Sequence, residues 1–188
     1  MRLFVEMPDG FNMIESFLTW EQWLYMIIIP AAVIITVTFL IGLERQNVGK
    51  AAGISSHVLV GLSALMVAVM QRLIYYQEIM NAVESPQSQR IIAQVVAGIG
   101  FIGAGVIMKD SNNIIHGITT ASTIWFSALL GIVLGMGFLY EGIAFGVFVA
   151  GFIILRDIRR GVNPFVPVID DMKHEPTLLK DRSNQEQR

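Results

Sequence analysis

Cysteine is absent from the 188 residues, which excludes disulfides and any thiolate metal site while indicating no compartment. Charge is scarce as well. Only 15% of the residues are Asp, Glu, Lys or Arg, against about 25% in an ordinary soluble domain. Ten of the 28 charged residues fall between Trp23 and Leu155, so the middle of the chain is depleted and its two ends are enriched. Histidine occurs three times at wide separation, and no His-Glu or Ser-His spacing suggests catalysis. A net charge of −2 says little about partners, since distribution matters more than the sum; no nucleic-acid partner is expected. The first 22 residues do not read as a cleavable signal, because Arg2 is offset by Glu6, Asp9, Glu15 and Glu21 and no small-residue cleavage site follows.

What is present in excess is apolar side chain: 54% of the residues, with a mean hydropathy of +0.60. The expected class is an all-α integral membrane protein with five transmembrane helices. Residues 1–22 are expected as an N-terminal interfacial segment, 23–155 as the five-helix membrane domain and 156–188 as a short tail, disordered or lying along the surface. Phe11, Ile14, Phe17 and Leu18 share one helical face beside Trp20 and Trp23, which predicts a short interfacial helix. The first span is expected from about Trp23 to Ile41, bent at Pro30. The second runs from about Ala51 to Met70 with Arg72, Tyr75 and Tyr76 as interface anchors. Ser85-Pro86 is expected to open the third helix. The fourth starts near Thr119, and the fifth covers about Phe138 to Leu155. If the N-terminus lies outside, the inner segments carry 10 of the 13 basic residues, so the positive-inside rule favours a cytoplasmic C-terminus.

The most informative stretch is residues 90–125. From Ile91 to Met108 it would make about 27 Å of helix, enough to span a bilayer core. Six of the nine residues from Ala97 to Gly105 are Gly or Ala. Ala93, Ala97, Gly100 and Ala104 follow a 4-3-4 spacing and form a flat stripe, with Gly98, Gly103 and Gly105 nearby. One reading makes these a helix-packing seam; the other is a broken helix lining a polar cavity. Arg90 and Gln94 lie one turn apart and point towards the same stripe. An amide in lipid serves either as glue between helices or as part of a polar path. Thr120, Thr123 and Ser127 line one side of the fourth span, bonding their own backbone or facing Gln94 across the hairpin. The polar loop Lys109–Gly117 makes the third and fourth spans antiparallel. Glu44 and Arg45 stand at a membrane edge, either as an exposed pair of little net value or turned inward. His57 reads as a hydrogen-bonded helix-end residue, with no partner at metal-ligand spacing.

Three motifs in order, GLERQ at 42–46, RIIAQVVAGIGFIGAGVIM at 90–108 and HGITTASTIW at 116–125, make the chain resemble the MgtC/SapB family of bacterial inner-membrane proteins. The resemblance covers about residues 20–155. It implies a five-span fold and a link to low magnesium, acid stress or survival in hosts, with a regulatory role towards other membrane machinery. Carried over by position, the family's polar residues match Glu44, Arg45, Gln46, Arg90, Gln94, Thr119, Thr120 and Trp125. Two departures stand out. Gly53-Ile54-Ser55-Ser56-His57 replaces the common Gly-Leu-Arg-Thr-His, and Glu84 is the nearest acid before Arg90. Two functions follow: a non-enzymatic regulator or scaffold, working by helix contacts with itself as a homo-oligomer or with another membrane protein, and a magnesium carrier or channel. Magnesium wants six oxygens and keeps several waters, and no two acids lie close in sequence within the spans. No cofactor is expected beyond Mg2+ as the ion handled.

Overall fold

A computed structural model of the protein describes residues 4–6, 12–14, 19–80, 82, 89–161 and 163–166. Among the described residues, two short antiparallel strand pairs accompany five helices. In chain order the elements are β1 (Phe4–Glu6), β2 (Asn12–Ile14), α1 (Trp20–Asn47), α2 (Ile54–Met80), α3 (Gln89–Gly105), β3 (Met108–Lys109), β4 (Ile115–His116), α4 (Ile118–Gly135) and α5 (Leu139–Arg159). Four helices, α1, α2, α4 and α5, are long and apolar enough to cross a membrane. The 17 residues of α3 reach about 25 Å, at the lower end of what crosses a hydrocarbon core of about 30 Å. The chain is thus a mostly helical membrane protein.

Helix α1 begins where Thr19 and Gln22 cap each other: the Gln22 N–H reaches Thr19 Oγ1 at 3.3 Å and the Thr19 N–H reaches Gln22 Oε1 at 3.0 Å. Just ahead of Pro30, where a bend is expected, the helix makes a π-helical turn over Leu24–Ile28, in which the Ile29 N–H returns to the Leu24 carbonyl. A proline ring presses on the carbonyl four residues back, and a wider turn relieves that contact. The interfacial helix expected through Ile14 is not what forms there. Asn12–Ile14 is a strand, with Ile14 opposite Phe4 and Asn12 opposite Glu6. Pro8-Asp9-Gly10, a turn-favouring triplet, stands between the two strands in sequence and outweighs a weak helical period. Phe11, Phe17, Leu18, Ser85 and Pro86 lie outside the described residues.

Helix α4 is the most buried of the long helices. It packs along α2, and the two share one apolar core with α1 and α5 through Ile34, Ile41, Leu65, Leu130, Leu134 and Ile153. A second cluster, Ala64, Ala68, Ile99, Ala128 and Ile132, joins α2 and α4 to α3. The closest approach is between α2 and α4. A methyl group on Gly131 would strike the Gly61 carbonyl oxygen, and one on Gly135 would stand 2.6 Å from the Leu65 carbonyl oxygen and 2.7 Å from Ala68 Cβ. This is a small-residue seam, with glycines four apart on one helix facing Gly61, Ala64 and Ala68 on the other. Gly137, at φ +100°, turns the chain from α4 into α5 in a conformation that favours glycine.

Helix α5 is turned the other way. Gly142, Gly146, Ala150, Ile153 and Asp157 are buried, while Phe145, Val147, Phe148, Phe152 and Leu155 are exposed. Small residues inward and large apolar ones outward suit a helix whose outer solvent is lipid. The tail is docked where it begins: the Asn47 amide donates to the Pro164 carbonyl at 2.9 Å, and Pro164 is buried.

Candidate functional site

The C-terminal ends of α1, α3 and α5 meet the N-terminal ends of α2 and α4 at one end of the bundle, where Glu44, Arg45, Arg156 and Asp157 gather. Glu44 and Arg45 are 1% and 2% exposed, so the pair has turned inward. The Arg45 guanidinium grips Glu44 through both Nε and Nη2, a two-pronged arrangement that suits its planar fork. Asp157 from α5 completes the group, with Oδ2 3.5 Å from Arg45 Nη2 and Oδ1 2.7 Å from Arg156 Nε. Arg156 Nη2 also lies 3.6 Å from Glu44. Two acids and two arginines therefore compensate each other in a buried network joining the last turns of α1 and α5, where the helix dipoles favour the arginines.

Beside this network opens a cavity of about 710 Å³ bounded by Arg45, Lys50, Arg156, Asp157, Arg160 and the segment from Ile115 to Thr120. Its floor includes the start of α4. Gly117 occupies the N-cap at φ +91° and supplies no side-chain cap, and a methyl group there would collide with the Val106 carbonyl. The β3–β4 loop forms one rim. Asp110 accepts the N–H groups of Asn112 and Ile114 at 2.9 and 2.8 Å and meets His116 Nε2 at 3.1 Å. The hydrogen bond from Ile114, followed by that from His116, holds the Asp110 carboxyl below the usual carboxylate range.

The remaining sequence candidates separate. His57 is fully buried, with Nδ1 2.7 Å from the Gly53 carbonyl and Nε2 2.9 Å from Thr123 Oγ1. Thr123 and Ser127 hydroxyls donate to the Thr120 and Thr123 carbonyls. Thr123 and Ser127 thus bond their own backbone, and Thr123 also His57, not Gln94. Thr119 and Thr120 border the cavity. Gln46 is exposed and covers Gly53, and Trp125 is partly exposed on the outer side of α4.

The stripe on α3 requires a correction. Ile99 and Gly103 face the bundle, Gly103 lying against Ala121. Ala93, Ala97, Gly98, Gly100, Ala104 and Gly105 are exposed, and nothing among the described residues comes within 4 Å of a methyl group placed on Gly98, Gly100 or Gly105. Arg90 and Gln94 are exposed as well. Within one chain the stripe is an open face; the seam lies between α2 and α4. Nor is α3 broken: the helix is continuous through Gly98, Gly100 and Gly103 and ends at Gly105.

A family model described as the MgtC family matches residues 31–160. The chain belongs to the MgtC family. Relatives include the putative magnesium transporter YhiD of Escherichia coli K12, 42% identical over 54% of this chain and 46% of its own length. Protein MgtC of Salmonella typhimurium LT2 is 36% identical over 66% of this chain and 50% of its own. Protein SapB of Bacillus subtilis is 33% identical over 65% and 53%. The chain thus spans about half the length of the curated relatives it matches. No solved structure matches significantly.

The MgtC-family motifs include Glu44 and Arg45 but not their partners. Asp157 and Arg156 come from the far end of α5 and look in sequence like ordinary flanking charges. Gln71 was also missed. It is buried, and its Oε1 accepts the Ile92 N–H at 3.2 Å, satisfying a free donor in the first turn of α3. Its place in an apolar run was the available signal.

Proposed function

We propose that this MgtC-family chain is a non-enzymatic, five-span protein of the bacterial inner membrane. Its N-terminus is outside and its charged end cytoplasmic, and it serves magnesium homeostasis under acid or low-magnesium stress by regulating other membrane machinery through helix contacts. The observation that carries this reading is the open face of α3. Gln94 and six Gly or Ala residues lie on it beside a large side chain, Phe101, while the outward face of α5 is mostly Phe and Val. Lipid gives an amide no partner, and small residues there forgo contact that a second helix supplies. An amide is both donor and acceptor, so two copies related by a two-fold axis satisfy each other's Gln94. A homodimer through α3 is therefore the expected assembly.

Transport is the second reading, and the name of the Escherichia coli relative favours it. The charged end gives it little support. Glu44 and Asp157 are each engaged by arginine, and among the described residues no three His, Asp or Glu form a group fit for a metal ion. Four cationic side chains on the adjoining cavity repel a divalent cation. Liposomes containing the purified protein and a magnesium-sensitive dye separate the readings. The regulatory reading expects no uptake above empty vesicles, whereas saturable uptake abolished by Glu44→Gln or Gln94→Ala establishes transport.

A further inference from the structure

The cavity at the charged end is not used by the α3 reading, and its chemistry is that of an anion site. Arg45, Lys50, Arg156 and Arg160 border it against one carboxylate, Asp157, with Glu44 just behind. The two acids hold the guanidinium groups of Arg45 and Arg156 in place. Among the described residues neither Lys50 nor Arg160 enters an ion pair, so they supply the positive surplus. The start of α4 adds backbone donors: Ile118, Thr119 and Thr120 border the cavity, and no side chain caps them. Asp157, 3% exposed, is already committed, its Oδ1 to Arg156 and its Oδ2 in the ion pair with Arg45 at 3.5 Å, so it does not compete for Lys50 and Arg160.

We infer that this cavity binds a phosphate group, held between Lys50, Arg160 and the α4 N-terminus. Helix N-termini and arginine or lysine clusters are the usual protein counterparts of phosphate. A phosphoglycerol lipid headgroup and a free phosphate ester share this chemistry, and a lipid headgroup would reach the cavity at the ends of the spans. Bound there, it would link α1, α4 and α5 and stabilise the buried ion network.

The test uses the full chain purified in detergent and in nanodiscs. Binding is read by native mass spectrometry and by the melting temperature, with inorganic phosphate against chloride at equal ionic strength, and phosphatidylglycerol against phosphatidylcholine. Lys50 and Arg160 are exposed, so Lys50→Gln/Arg160→Gln keeps the unliganded melting temperature and weakens binding by about tenfold or more. Preference for phosphatidylglycerol with no response to inorganic phosphate names the lipid as the source. A response to inorganic phosphate names a soluble ligand. Equal binding of all four additives, or a double variant that binds as tightly as the parent chain, overturns the proposal.

Discussion

Glu44 and Arg45 are adjacent in sequence, yet each owes its burial to a residue more than a hundred positions away. Arg156 and Asp157 bring one charge of each sign to the end of α1, so the network is neutral only with all four present. Removing one member of such a network leaves an uncompensated buried charge and costs about 3–5 kcal/mol, whereas removing a matched pair costs far less. Glu44→Gln is therefore expected to lower the melting temperature sharply while insertion into the membrane persists. Glu44→Gln/Arg45→Met should recover much of the loss. A double variant as unstable as the sum of its single changes would show that the two side chains act independently.

At the scale of the helix, the same residue type has opposite consequences on two faces. Gly131 and Gly135 have backbone of α2 pressed against them, and Gly100 has nothing near it. Gly131→Leu is expected to separate α2 from α4, with a loss of about 3 kcal/mol or more from overpacking and the backbone shifts it forces. Gly100→Leu is expected to leave the monomer's melting unchanged and to abolish self-association. A monomer destabilised equally by both would remove the distinction between seam and open face. The 4-3-4 spacing on α3 and the four-residue spacing of Gly131 and Gly135 look alike in sequence, and periodicity says which residues share a face without saying which face meets the bundle. The positions of the five helices were legible because long apolar runs in lipid leave the backbone few alternatives. The extension of α2 to Met80 was not, since Arg72, Tyr75 and Tyr76 read as interface anchors.

For the molecule as a whole, the sequence motifs located the charged end of the bundle but not its cavity. The cavity needs Lys50 from one loop, the start of α4 and the last turn of α5, three segments that only the folded chain brings together. His57 shows the opposite case: a lone histidine at a helix end was expected to be hydrogen-bonded, and it bonds Gly53 and Thr123. What the fold leaves outward on α3 is a face rich in small residues that carries an amide and Phe101, whereas the outward face of α5 is dominated by large apolar side chains.

Because the chain has no cysteine, every introduced thiol is unique, and cross-linking in native membranes tests this contrast directly. Ala97→Cys on α3 is predicted to give a disulfide-linked dimer in high yield on mild oxidation, while Phe148→Cys, 72% exposed on α5, stays monomeric. Equal cross-linking at both positions, or none at Ala97→Cys, would contradict a contact surface on α3.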